Sequence, residues 1–178
     1  MSLSLYQSSV ATFERSIAAF LAILDKAEAH AKARNFDPAN YLLLRLAPDM
    51  WPLTRQIQTF CDHAKNSSSR LAGVAPPVFE DKETTLAELR ARIEATLEHL
   101  KSLDPAAIDA ASDREIVIPL GPNQAKMLGA NYLVHFALPN FYFHLTTAYD
   151  ILRSAGVEIC KRDFLGAVPG FALIERST

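Results

Sequence analysis

The sequence predicts an all-α fold, a four-helix bundle with one small β-hairpin inserted between the third and fourth long helices. Four segments carry apolar residues at three- and four-residue steps, the period of a helix with one buried face. One stretch alternates around Gly121-Pro122-Asn123 instead, which is typical of a hairpin. The chain of 178 residues, 49% of them hydrophobic, is long enough to bury a substantial core, and we expect one domain over residues 1–178.

The first long helix is predicted from about Ser8 to Arg34, and the segment from Asn35 to Pro38 breaks it. Asp37 precedes a proline and is expected to cap a short helical turn through "ANYLLLRLA". The second helix is predicted to begin near Asp49, with a proline in its first turn. Its apolar stripe consists of Met50, Leu53, Ile57, Phe60, Ala64, Ser67 and Leu71.

After an extended link, "GVAPPVFED", the third helix opens where Thr85 and Glu88 have the spacing of a capping box. Asp104-Pro105 is expected to end it, and "REIVIPLGPNQAKML" then forms the hairpin at one end of the bundle. The fourth helix is predicted over roughly Asn131 to Ala155, before Gly156. The tail from about residue 157 is expected to be irregular, with Phe164, Leu165 and Phe171 packing back on the bundle.

Composition excludes several classes of function. With 18 basic and 20 acidic residues, the net charge of −2 gives no reason to expect a nucleic-acid surface. The uncharged run 127–149 contains asparagines, histidines, threonines and a proline, which are costly in lipid, so we expect no membrane helix. The N-terminus lacks a signal-peptide pattern, and Cys61 and Cys160 belong to no close cysteine pair. A cytoplasmic location is therefore expected.

Two histidines border the predicted core. His63 lies beside the apolar stripe of the second helix, and His144 borders the cleanest apolar line of the fourth. Two histidines on neighbouring helices can meet across a groove, which is how helix bundles commonly build metal sites. Thr59, Asp62 and Asn140 are the other residues expected to line this groove between the second and fourth helices.

His135 lies on the same predicted helix as His144, nine residues earlier. Nine residues at the helical repeat place it half a turn away from His144, so the two cannot bind one ion in an ideal helix. Pro139 lies between them and is expected to kink or bulge the helix. A one-residue bulge would bring His135 roughly onto the His144 side.

Simpler interpretations accompany these. A histidine beside a core stripe is more often a hydrogen-bonded packing residue than a ligand. His30 and His99 are expected on solvated faces, where a cation near a helix C-terminus is mildly favourable. Cys61 has no pattern that marks a nucleophile beyond its proximity to His63.

Several segments in order resemble an uncharacterised domain family within the DinB-like superfamily of four-helix bundles. They are "LAPDMWPLTRQIQTFCDHAK", "RLAGVAPPVFEDKETTLAEL", "HFALPNFYFHLTTAYDILR" and "KRDFLG", and the resemblance spans about Leu5 to Leu165. It implies a helical bundle. In members of the superfamily with a metal site, the ligands are one histidine of the second helix and two, four residues apart, of the last long helix.

This resemblance implies that His63 is the second-helix ligand and His144 the later ligand of the last-helix pair. The earlier one falls on Asn140, whose amide oxygen is a weaker ligand than imidazole for zinc or nickel. The three-histidine set is therefore incomplete unless His135 substitutes. Two hypotheses follow: a small-molecule-binding or interaction module with a degenerate metal site, and a metal-dependent hydrolase or thiol transferase. A homodimer is expected in either case.

Overall fold

The computed structural model describes residues 4–172, and its architecture is a helical bundle with a two-stranded hairpin. The four long helices are α2 (Val10–Ala33), α3 (Leu53–Ala72), α4 (Leu86–Lys101) and α7 (Leu138–Ser154). The short ones are α1 (Leu5–Ser8), α5 (Pro105–Asp109), α6 (Gly129–Tyr132) and α8 (Lys161–Leu165), with a 3-10 helix at Pro38–Tyr41. In this part of the chain, no helix is both long and apolar enough to cross a membrane.

Aromatic side chains join three of the long helices in the core. The ring centroids of Phe13 and Phe141 are 4.6 Å apart, and those of Phe20 and Phe60 are 5.1 Å apart. Phe60 also contacts Phe141 edge-on at 6.1 Å, so α2, α3 and α7 share one aromatic cluster. All four rings are buried, and α3 packs extensively against both α7 and α4. This packing fixes the relative positions of α3 and α7, between which the predicted groove lies.

The second long helix begins later than the sequence predicted. It starts at Leu53, with Pro52 at the N-cap position instead of inside the first turn. Trp51 precedes this proline, and the proline ring disfavours helical dihedral angles at the residue before it. The predicted turn through "ANYLLLRLA" was also too long, since only Pro38–Tyr41 is helical. Its expected cap is confirmed, because the side chain of Asp37 accepts a hydrogen bond from Ala39 N at 2.8 Å.

The helix-end predictions farther along the chain are mostly confirmed. Thr85 and Glu88 form the capping box of α4, and Gly156, with φ 93°, follows the end of α7. The tail is not wholly irregular, because Asp163 caps the backbone N–H of Cys160 and α8 forms there. Phe164 packs against Tyr149 as expected.

Two tail residues differ from the expectation. Leu165 is 41% exposed and Phe171 is 72% exposed, so neither packs back fully on the bundle. The remaining tail, residues 173–178, lies outside the described residues.

The fourth long helix contains the predicted distortion. Helix α6 continues through a π-helix, Leu133–Ala137, directly into α7, so the helical segment runs from Gly129 to Ser154. The wide turn immediately precedes Pro139, which has no N–H to donate to the preceding turn. The bulge reorients the side chains before it relative to those after it.

The hairpin is formed by β1 (Glu115–Leu120) and β2 (Asn123–Leu128), paired antiparallel in the register Leu120 with Asn123. Gly121 takes a positive φ of 55° at the first position of the two-residue loop, where a side chain would be strained. Ile116 and Ile118 face inward and are buried. They anchor the hairpin on the bundle, close to α3 and the π-helix.

A cluster of charged side chains around the buried Arg92 holds the extended link between α3 and α4 against both helices. The side chain of Arg92 is 2% exposed and pairs with Asp62, Asp81 and Glu83 at 3.0, 3.0 and 2.9 Å. Lys65, also buried, lies 3.4 Å from Asp62. We call these five residues the Arg92 cluster. It fixes the position of Asp62, the immediate neighbour of His63.

Candidate functional site

Three polar residues form a line along α3. Gln56, His63 and Arg70 are spaced by seven residues, which is nearly two helical turns (about 20° short of them). They therefore lie on one side of the helix, facing α7, the π-helix and the hairpin. This line is the α3 wall of the groove that the sequence predicted between the second and fourth long helices.

His63 and His144 meet across this groove. Their rings are nearly parallel, with centroids 5.6 Å apart and an angle of 10° between the planes. The indole of Trp51 stacks on the other side of His144, again at 5.6 Å and at 15°. Trp51 is half exposed, His144 is buried and His63 is half-buried, so the middle ring of the three-ring stack is the most buried.

Gln56 fixes the orientation of His144. Its Nε2 donates to the backbone carbonyl of Trp51 at 3.1 Å, and its Oε1 lies 2.7 Å from Nδ1 of His144. A carbonyl only accepts, so the amide NH2 must face Trp51 and the amide oxygen must face the imidazole. Nδ1 of His144 therefore carries its proton, and Nε2 keeps a lone pair.

Both imidazoles are neutral at pH 7. Burial, together with the nearby His144 and Arg70, lowers the pKa of His63 to about 4. Burial also lowers the pKa of His144, with Arg55 contributing in the same direction. Each neutral imidazole offers one hydrogen-bond donor and one acceptor.

Two clefts open on the two sides of the stack. The His144 cleft has a volume of about 280 Å³ and is lined by Asp49, Met50, Trp51, Gln56, Phe143 and His144. The His63 cleft has a volume of about 220 Å³ and lies between α3, the hairpin and the π-helix. It is lined by Asp62, His63, Asn66, Arg70, Ile118, Pro119 and Phe136. Each imidazole of the pair therefore borders a cleft of its own.

The other residues predicted for the site have separate roles. Asn140 donates from Nδ2 to the carbonyl of Phe136 at 2.7 Å, so its amide is bonded to the backbone of its own helix. Thr59 likewise donates to Arg55 O at 2.7 Å. Asp62 lines the His63 cleft but belongs to the Arg92 cluster.

His135 is exposed despite the predicted bulge. Among the described residues, the hydrogen bonds and ring contacts of His63 and His144 do not include it. The π-helix is the distortion that the sequence predicted, but it does not bring this imidazole into contact with the pair.

The donor set does not fit the three-histidine metal site that the resemblance implies. Within residues 4–172, no group of three or more His, Cys, Asp or Glu side chains is placed to hold a metal ion. Two imidazoles meet, while the position of the third ligand holds an asparagine bonded to its own helix. Cys61 supplies no thiolate, because burial raises its pKa to about 12.

Two histidines expected on solvated faces are half-buried instead, so that prediction was wrong in part. Nδ1 of His30 lies 2.6 Å from the hydroxyl of Tyr41, and Nε2 of His99 lies 2.7 Å from Oγ of Ser69. Each imidazole forms a hydrogen bond with a hydroxyl group on a neighbouring element. Neither imidazole lines the two clefts beside the histidine pair.

Sequence reasoning did not select Trp51, Gln56, Arg70 or Phe136 for the site. The seven-residue spacing of Gln56, His63 and Arg70 was visible in the sequence and marks a polar line along the helix. Trp51 and Phe136 carried no such signal. Their places depend on the turn before α3 and on the π-helix.

Comparison with known proteins finds a matching family model and similar solved structures. The family described as "Domain of unknown function (DUF1993)" matches residues 5–165. A crystal structure of a DinB family member protein from Shewanella denitrificans, solved at 1.83 Å, is 42% identical. The similarity covers 95% of this chain and 96% of that one, with a TM-score of 0.88. A search of curated proteins found no match.

Proposed function

The chain belongs to the DUF1993 family of domains of unknown function, and from this premise we propose that it is a small-molecule-binding module. The ligand would lie at the groove between α3 and α7, against the histidine pair. One observation carries the proposal: two neutral imidazoles stack across the groove between two small clefts, and Gln56 fixes the orientation of one. Convergent polar groups beside apolar walls are typical of ligand sites.

The neutral pair favours ligand binding over a purely structural role. A buried histidine that only packs has its ring nitrogens hydrogen-bonded to protein groups or to water. Nδ1 of His144 is satisfied by Gln56, and the same hydrogen bond leaves Nε2 as an acceptor. His63 lines an open cleft with both of its nitrogens available to a ligand, since the described side-chain hydrogen bonds do not include its ring.

The second candidate is a divalent-metal-dependent enzyme of the hydrolase or thiol transferase type, with zinc or nickel. Neutral imidazoles are competent metal ligands, which is the observation in its favour. However, two imidazoles and an asparagine whose amide is bonded to its own helix backbone are weak ligands for either ion.

A fragment screen followed by protein NMR tests the proposal. Neutral and charged aromatic fragments are added to tag-free protein, and binders are mapped by the chemical shifts of the His63 and His144 rings. We expect binders that shift both rings, and weaker binding in His63→Ala and His144→Ala. His135→Ala is the matched control and should bind like the wild type. Binders that map only elsewhere, or no binders, would contradict the proposal.

A further inference from the structure

Arg70 is a cation without a carboxylate partner among the described residues. Three other arginines of α3 and α4 each pair with an aspartate or glutamate: Arg55, Arg90 and Arg92. The ion pairs of residues 4–172 do not include Arg70. Its guanidinium donates one hydrogen bond, to the hydroxyl of Tyr132 at 3.2 Å. A guanidinium has five N–H groups, so most remain to bind an anion.

This guanidinium lines the His63 cleft together with other donors. The Oδ1 of Asn66 accepts from Lys65 Nζ at 2.9 Å, which leaves the NH2 group of Asn66 to donate. His63 is neutral and contributes one N–H. Asp62 is the acidic residue of the cleft, but Arg92 and Lys65 lie 3.0 and 3.4 Å from it and offset its charge. The polar wall is therefore rich in donors and carries the positive charge of Arg70.

The opposite wall is apolar. Ile118 and Pro119 of the hairpin and Phe136 of the π-helix supply it, and the ring of Phe136 contacts that of His63 edge-on at 6.3 Å. A ligand with one anionic end and an apolar body would satisfy both walls at once. The volume of about 220 Å³ restricts it to a small molecule.

We infer that the His63 cleft binds a small carboxylate with an apolar or aromatic body, and that Arg70 binds the carboxylate. The carboxylate accepts from the guanidinium and from the NH2 of Asn66, while the apolar body lies between Phe136 and the hairpin. This inference rests on the proposed ligand-binding role of the groove and adds the chemical class of the ligand to it.

The test compares benzoate with benzamide, a neutral probe of almost the same shape, by protein NMR of the whole chain at low salt and pH 7.5. We expect benzoate to shift the resonances of α3 and the π-helix and to bind about tenfold or more tightly than benzamide, the range of a charge-assisted hydrogen bond. Arg70→Gln should weaken benzoate binding by about the same factor and leave benzamide unaffected.

Two further variants separate charge recognition from folding. Tyr132→Phe removes the hydrogen bond of Arg70 but keeps its charge, and it should retain benzoate binding. Lys126→Gln removes an exposed charge of the hairpin and should leave binding unchanged, which controls for net charge.

The possible failures are distinguishable. Equal binding of the two probes, or benzoate binding unaffected by Arg70→Gln, overturns the carboxylate assignment and leaves the groove as a ligand site. If other fragments bind the groove and benzoate fails to bind, the carboxylate assignment is likewise overturned and the groove remains a ligand site. If no fragment of any charge binds there, both the inference and the proposed function are overturned.

Discussion

At the scale of single residues, Gln56 has the clearest structural task, because it joins the backbone before α3 to the imidazole of His144. Replacing it by leucine would leave the buried Nδ1–H of His144 without an acceptor. We expect Gln56→Leu to lower the free energy of unfolding by about 1–3 kcal/mol, measured by urea denaturation. Thr59→Ala, which removes a bond within one helix only, should change it by less than about 0.5 kcal/mol. Equal effects of the two variants would contradict this role of Gln56.

His63 makes stability depend on pH. Its pKa is lowered from 6.5 in the unfolded chain to about 4 in the folded one, so the unfolded chain binds more protons between these values. The contribution of His63 to the free energy of unfolding is therefore fully present above pH 6.5. It is lost as the pH falls toward 4, by up to about 3 kcal/mol. We expect His63→Gln to flatten the pH dependence of the free energy of unfolding between pH 7 and 5 in urea denaturation. An unchanged slope in His63→Gln would contradict this.

Asn140 occupies the position at which the family resemblance implies a third histidine ligand. The position lies one turn before His144, so Asn140→His would add a third imidazole on the same helix face. We expect this variant to bind zinc in calorimetry more tightly than the wild type, because imidazole is a better zinc ligand than an amide oxygen. Unchanged zinc affinity would mean that position 140 does not face the histidine pair.

At the scale of elements, the link between α3 and α4 depends on Arg92. Arg92→Ala would leave Asp62, Asp81 and Glu83 without their common cation, and Glu83 is the most buried of the three. The pair with Glu83 is the buried one, and breaking a buried pair costs about 3–5 kcal/mol. We expect a loss of that order in urea denaturation and faster amide exchange in the link. Lys82→Ala, whose ion pair with Glu80 is exposed, should change stability by about 0–1 kcal/mol. Wild-type exchange in the link of Arg92→Ala would contradict this role.

Helices, strands and turns differ in how far the sequence could predict them. Periodicity and capping residues predicted the four long helices, the hairpin and the distortion before Pro139, because these features depend on neighbours in the chain. The exposure of His135 was not predictable, since it depends on how the π-helix rotates against α3. The start of α3 could have been predicted from the dipeptide Trp51-Pro52.

At the scale of the whole molecule, the sequence predicted the bundle, and the similarity to a DinB family structure agrees with it. It also selected His63 and His144, which the structure brings together. It could not predict the stack with Trp51 or the facing walls of the His63 cleft, because these join residues from α3, the hairpin and the π-helix. Homodimer formation and a cytoplasmic location stay predictions from the sequence, and light scattering tests the first.

The most direct test of the ligand-module account is the metal content of tag-free protein after incubation with zinc or nickel and gel filtration. The account predicts far less than one equivalent of either ion, because the described residues bring two imidazoles together without a third strong ligand. One equivalent of metal in the wild type, lost in both His63→Ala and His144→Ala, would contradict the account and favour the metal-dependent enzyme.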